Sequence, residues 1–172
     1  MVSKLSSQEI QFLKARAEDV DSIIELAKSI WWKHYPEIIG EAQVEFMLNK
    51  MYSHEVVKSH ITNQTQLFYL IKVEGENCGF LAVEETSETE LFLQKFYILQ
   101  NTQNKGLGTL AFKKLIQQYP LVETIRLQVN RQNIKPINFY FKLGFTIEKS
   151  ADFDIGDGYF MNDFVMVNHI KK

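Results

Sequence analysis

Apolar residues along the chain recur at two spacings. In Ile10-Gln11-Phe12-Leu13-Lys14 they alternate, and from Val20 through Ile23, Ile24, Ala27, Ile30 and Trp31 they return every three to four residues. Alternation is the period of a strand and three-to-four spacing that of one helix face, so a strand followed by a helix is predicted. Asp19 and Asp21 stand at the start of that helix, where carboxylates complement unpaired amides and the positive dipole end. After a break at Pro36 and Gly40, Val44, Met47, Leu48 and Met51 form a second helical stripe, and Val56, Val57 and Ile61 a shorter third ending near Asn63.

The period then changes. Leu67 to Val73 is almost continuously apolar, Gly75-Glu76-Asn77 turns the chain, and Gly79 to Val83 returns, which predicts a hairpin. A polar break from Glu84 to Thr89 precedes a third strand over Leu91 to Leu99. Leu107, Leu110, Ala111, Leu115 and Ile116 lie on one helix face, and Ile125, Leu127 and Val129 alternate, so a parallel crossover is expected. Pro136 to Gly144 reads as a short helix, Phe145 opens another strand, and a last strand at about Phe164 to Val167 follows Gly156-Asp157-Gly158. The order is mixed α/β, with helices and strands interleaved in one domain over residues 1–172.

Composition narrows the function classes. Nineteen Lys and Arg stand against 21 Asp and Glu, a net charge of −2, with the basic residues scattered. Nucleic acid is therefore not expected as a partner, because phosphate neutralisation needs a basic surface. The absence of a spanning apolar run and of a signal-peptide core from Met1 to Gln8 points to no membrane and a cytoplasmic protein. Cys78 is the single cysteine, lies in an apolar stretch and reads as a buried thiol. His34, His54, His60 and His169 show no ligand spacing, so no metal site is expected, and no serine occupies a Gly-x-Ser-x-Gly elbow.

The most informative stretch is Asn101-Thr102-Gln103-Asn104-Lys105-Gly106-Leu107-Gly108-Thr109-Leu110-Ala111. Glycines at a strand-to-helix turn let backbone amides converge on an anion, and the helix start adds positive potential. The same glycines also suit a bare turn that needs a positive φ. Gly106 to Ala111 satisfies a dinucleotide-binding pattern too, which would make the chain an oxidoreductase. That pattern should directly follow a strand and be answered by an acidic residue about 20 positions on. Here polar residues separate Ile98 from Gly106, and the next strand ends in Gln128-Val129-Asn130.

Gln103-x-x-Gly106-x-Gly108 resembles the acyl-CoA motif of the GNAT superfamily of N-acetyltransferases. A second segment, Asn133-Ile134-Lys135-Pro136-Ile137-Asn138-Phe139-Tyr140-Phe141-Lys142-Leu143-Gly144-Phe145, is similar to the family's Asn…Phe-Tyr-x-Lys-Leu-Gly-Phe segment. The entry Lys14-Ala15-Arg16-Ala17-Glu18-Asp19 also looks familial. The resemblance implies a splayed mixed sheet of six to seven strands with helices on both faces. It further implies acetyl-CoA in the splay between the fourth and fifth strands, and direct acetyl transfer to a primary amine.

By that resemblance Phe96, Tyr97 and Ile98 would pair through their backbone with the pantetheine arm, and a bulge would free the Ile98 amide for the thioester oxygen. Gln103, Asn104, Lys105, Gly106, Leu107, Gly108 and Thr109 would hold the pyrophosphate, and Asn133 would reach the cofactor. Tyr140 falls at the general-acid position, where a phenol keeps its proton at neutral pH. The fourth strand is apolar at Phe92, where many relatives carry a carboxylate; Glu84, Glu85 and Glu90 are the base candidates, with solvent deprotonation of the amine as the alternative. The family's acceptor region corresponds to Trp31 to Pro36 and then Gln43 to Tyr52; the rings of Trp31, His34 and Tyr35 suit a cationic amine but equally suit a core or a homodimer contact. Polyamine, alkyl amine, amino sugar and peptide amine all remain open, as does a non-catalytic acyl-CoA-binding module.

Overall fold

A computed structural model describes residues 10–102 and 106–171. Its chain order is β1 (Ile10–Lys14), α1 (Val20–His34), α2 (Pro36–Ile39), α3 (Glu41–Tyr52), α4 (His54–Asn63), β2 (Leu67–Val73), β3 (Glu76–Ser87), β4 (Glu90–Ile98), α5 (Leu107–Gln118), β5 (Thr124–Asn130), α6 (Ile134–Lys142), β6 (Thr146–Gly156) and β7 (Tyr159–His169). The strands form a seven-stranded mixed sheet in the order β1-β2-β3-β4-β5-β7-β6. The expected α/β class and strand number are therefore present.

The chain divides into two compact units. The first comprises Met1–Glu84 and Lys95–Pro120, the second Glu85–Gln94 and Leu121–Lys172. In the first unit α1 begins where Asp19 Oδ2 accepts the Arg16 N–H at 2.8 Å, and it buries Val20, Ile23, Ile24, Ala27 and Trp31. The break expected at Pro36 is a one-turn helix instead. Proline suits a first helical position because no amide is required there, and Gly40 at φ 83° ends the turn. Ser53 Oγ accepts the Val56 N–H at 3.3 Å and caps α4.

Strands β1, β2 and β3 run antiparallel. Glu74 and Gly75, both at positive φ, form the hairpin turn between β2 and β3, the conformation that matches strand twist. β3 continues past the expected end at Val83 through the exposed residues Glu84 to Ser87. Backbone pairing does not depend on apolar side chains, so a polar stretch need not end a strand.

Gly79 of β3 lies against the end of β4. A Cβ built there would collide with the Tyr97 carbonyl oxygen and stand 3.1 Å from Ile98 Cα. The Leu99 N–H donates to the Cys78 carbonyl at 2.8 Å, so the two backbones are held together at that point. Beside this contact, Ile10, Ile71, Cys78, Leu107 and Ala111 form a buried cluster that seats the start of α5. The thiol of Cys78 is buried there, as expected.

In the second unit the Glu90–Leu93 segment of β4 pairs in parallel with Thr124–Leu127 of β5, which completes the expected crossover. β7 pairs antiparallel with both β5 and β6. The last two strands are longer than the sequence implied, because the Gly156-Asp157-Gly158 turn, with φ positive throughout, allows a long backbone-paired ribbon. α6 starts two residues before Pro136. The first four amides of a helix have no intrahelical acceptor, so proline is tolerated in that turn.

Substituting Gly79→Ala forces β3 and β4 apart and is expected to cost about 1–3 kcal/mol, the range for overpacking a tight contact. Urea denaturation of the variant measures this loss, and unchanged stability would mean that the strands separate without penalty.

Candidate active site

In the first unit, β4 ends at Phe96, Tyr97 and Ile98, each half-buried, with Gly79 behind the backbone. Gly106 stands at φ 80°, a left-handed conformation that side chains resist, and is the residue before α5. Among the described residues, no atom beyond its chain neighbours lies within 4 Å of where its Cβ would stand. Leu107, Gly108 and Thr109 form the first turn of α5, so their amides are helix N-terminal donors with no intrahelical acceptor. Open backbone at Gly106 together with these amides fits a pyrophosphate without side-chain obstruction. Gln103, Asn104 and Lys105 lie outside the described residues.

The same unit gathers the residues expected at the acceptor. The Trp31 ring lies 4.4 Å from that of Tyr35 and 6.0 Å from those of Tyr52 and Tyr97, while His34 meets Tyr35 edge-on at 4.9 Å. Tyr97 thus joins the Trp31–Tyr35 pair to the end of β4. Tyr52, the end of the Gln43 to Tyr52 stretch expected beside the acceptor, completes this aromatic group and is buried; its helical spacing from Leu48 is the signal that it faces inward. Burial, reinforced by Tyr35, pushes the Tyr52 phenol well above its usual range, so it stays neutral. Glu84 is exposed on β3, and its charge opposes the burial and the Lys95 charge that lower His60.

Lys95 was not singled out from the sequence, although it follows Leu91 and Leu93 in the buried phase of β4. It is 7% exposed; Nζ donates to Gln66 Oε1 at 2.7 Å and lies 5.6 Å and 5.5 Å from the Tyr52 and Phe68 ring centres. Two aromatic faces and one amide replace water around the cation. Burial brings its pKa down to about 8.

In the second unit, Asn133 precedes α6 and is buried. Its N–H donates to the Asn130 carbonyl at 2.9 Å, and its own carbonyl accepts the Ile137 N–H at 3.2 Å. Tyr140 lies on the buried side of α6 with its ring between Phe139 and Phe145, at 5.6 Å and 5.5 Å. Glu90 accepts from Arg126 Nη1 at 2.7 Å, and the same guanidinium binds Glu148. Glu148 stands at a bulge in β6, which turns its side chain toward Arg126. The carboxylate of Glu90 is therefore already engaged.

The sequence profile described as the Acetyltransferase (GNAT) family matches residues 24–145, well over half of the chain. The chain belongs to the GNAT family. This GNAT protein is similar to spermidine N(1)-acetyltransferase of Thermoplasma acidophilum, with 28% identity over 91% of the chain and 95% of that relative. It also resembles the crystal structure of PaiA N-acetyltransferase from Thermoplasma acidophilum in complex with coenzyme A, at TM-score 0.75 and 26% identity, covering 94% and 99% of the two chains. An acetyltransferase from Thermus thermophilus shares the fold at TM-score 0.71 and 17% identity, with 98% and 99% covered.

The protein is thus an acyl-CoA-dependent N-acetyltransferase. Among the described residues no group of three or more His, Cys, Asp or Glu is placed to hold a metal ion, and no helix is long and apolar enough to cross a membrane.

Lys95 gives this GNAT fold a measurable pH signature. Its folded pKa of about 8 lies below the ordinary 10.5, so between these values the unfolded chain binds more protons. Stability should therefore rise by up to about 3 kcal/mol as pH increases from 8 to 10.5 and be lost again as pH falls through this window. The difference between wild type and Lys95→Met in denaturant melts across this range isolates the effect; parallel curves would contradict it.

Proposed function

We propose that this enzyme transfers the acetyl group of acetyl-CoA to a primary amine of a small polycationic acceptor of the spermidine type. The observation that carries the reading is its similarity, along nearly the whole length of both chains, to a spermidine N(1)-acetyltransferase. The half-buried Tyr35 and Tyr97, packed on the buried Trp31 and Tyr52, support it, since partly exposed ring faces attract an alkylammonium without needing a counter-charge. His34, packed on Tyr35, would help set that ring.

Acetyl-CoA supplies an activated thioester, and the chain's part is to bind, orient and move protons. Gly106, Leu107, Gly108 and Thr109 hold the pyrophosphate through backbone amides, and Gln103, Asn104 and Lys105, which precede them in sequence, complete the proposed motif. Phe96, Tyr97 and Ile98 pair with the pantetheine amides, and the Ile98 N–H polarises the thioester carbonyl. Asn133 orients the cofactor from the start of α6. Tyr140 donates its phenolic proton to the departing thiolate. Glu84 receives the proton of the acceptor amine through water; Glu90 is less suited, since Arg126 holds its carboxylate.

Release of free CoA thiol from acetyl-CoA, measured across polyamines, alkyl amines, amino sugars and peptides, tests the reading. Spermidine-dependent release is expected, and release with amino sugars or peptides alone would overturn the polyamine assignment. Tyr140→Phe should lower kcat by about a hundredfold, within the range for general-acid catalysis, while CoA affinity stays unchanged. Unchanged turnover would remove Tyr140 from that role. Gly108→Phe should abolish CoA binding, because it places a ring over the helix-terminal amides.

A further inference from the structure

Among the described residues four enclosed side-chain nitrogen or oxygen atoms have no hydrogen-bond partner, and two of them, Trp31 Nε1 and Tyr52 Oη, lie in the aromatic group of the first unit. Trp31 is 2% exposed and Tyr52 1%, with their ring centres 6.0 Å apart in an edge-to-face arrangement. An enclosed N–H or hydroxyl without a partner gives up the hydration of the unfolded chain and gains nothing in return. Phenylalanine in place of Tyr52 would keep the same ring packing without that loss, so packing by itself does not account for the hydroxyl.

The Tyr52 ring is held in place by Lys95 Nζ, 5.6 Å from its centre, and by Phe80, edge-on at 6.0 Å. Phe80 lies 5.6 Å from the Tyr97 ring, and Trp31 lies 6.0 Å from Tyr97 and 4.4 Å from Tyr35. Tyr35 and Tyr97 are half-buried, so they are the accessible members of a group whose other members are enclosed. The Tyr52 hydroxyl stands beside these two phenols: Trp31 and Tyr97, as hydrogen-bonding neighbours, oppose the upward push that burial and Tyr35 give its pKa. An indole nitrogen can only donate, whereas a phenol both donates and accepts. The direction is therefore set, with Trp31 donating to Tyr52 and the Tyr52 proton passing on to the Tyr97 oxygen. These atoms are neighbours short of a closed hydrogen bond, the loose geometry that polar groups of active sites tighten when substrate binds.

We propose that Tyr52 is a positioning residue of the acceptor site: its hydroxyl, oriented by the Trp31 indole, holds the Tyr97 phenol in place while that ring receives the acceptor amine. This rests on the reading of Trp31, Tyr35 and Tyr97 as acceptor residues. All of these residues belong to the first unit, and the amine meets only the half-buried Tyr35 and Tyr97, so nothing has to enter the enclosed part of the group. A phenol tied at its oxygen cannot swing about its Cα–Cβ bond, so the Tyr97 ring face keeps one position beside Ile98 at the end of β4. Transfer rates are sensitive to displacements of about an ångström between nucleophile and carbonyl. A hydroxyl that touches neither acceptor nor cofactor thereby sets how the amine is presented.

The test compares wild type with Tyr52→Phe, which keeps the ring and removes the hydroxyl. With spermidine as the probe, kcat/KM should fall by about three- to tenfold, the worth of one hydrogen bond, while CoA affinity is unchanged and the melting temperature holds or rises. A merely structural hydroxyl would leave kcat/KM for spermidine where it was. Tyr97→Phe should bring a loss of similar size, and the double variant should lose no more than Tyr97→Phe does by itself, because both changes break the same link. Unchanged kcat/KM in Tyr52→Phe, or losses that add in the double variant, would overturn the proposal while leaving the polyamine reading intact. Should Tyr52→Phe fail to fold, Tyr97→Phe decides: unchanged kcat/KM for spermidine in that variant also overturns it. If wild type acetylates a different amine and not spermidine, the polyamine reading fails by itself, and the same pair of variants measured with that amine decides the role of Tyr52.

Discussion

The contact between Gly79 and the backbone of Tyr97 and Ile98 is the constraint on which the first unit depends. Two strands can approach this closely only where one lacks a Cβ, and the Leu99–Cys78 hydrogen bond fixes the register of the approach. Several features follow from where the end of β4 then lies. Tyr97 reaches the Trp31 and Phe80 rings, and Phe96 and Ile98 pack on the cluster that seats α5. The end of β4 and the start of α5 are therefore parts of one packing solution.

Polar groups in the interior are distributed in two ways. Lys95 is buried but supplied with an amide oxygen and two ring faces, so its desolvation is largely compensated and its pKa falls only to about 8. Asp163 is buried with an oxygen that has no partner. The first arrangement ties β4 to α3, to β2 and to Gln66 just before β2; the second concentrates unsatisfied charge at the end of β5, near Asn133. Arg126 and Arg131 sharpen the contrast, because each neutralises carboxylates on neighbouring strands and neither hydrogen-bonds to Asp163.

Much of the architecture was legible in the sequence. The stripes at Val20–Trp31 and Leu107–Ile116, the apolar run at Leu67–Val73 and the alternation at Ile125–Val129 each state one periodicity, and each became the element it implied. The two motifs around Gly106 and Tyr140 pointed to the GNAT family that the profile match established. The extents of β3, β6 and β7 were not legible, because ladder pairing extends through polar residues whose side chains carry no signal. Nor was the pairing of Glu90 with Arg126, which needs residues 36 positions apart in sequence to be adjacent across a parallel ladder.

What the sequence determined by itself, then, is the set of local choices: which segments have helical or extended periodicity, where glycine permits a positive φ, and which residue types could serve acetyl transfer. These are properties of neighbouring residues and survive in one dimension. Tertiary structure alone decided which charges are answered. Lys95 and Asp163 look like ordinary surface residues in the chain, and their character comes from burial and from partners contributed, or not contributed, by distant strands. Alternation with Leu91 and Leu93 places Lys95 on the inward phase of β4, but desolvation depends on the whole surroundings of a group, so spacing along the chain does not report which partners answer its charge.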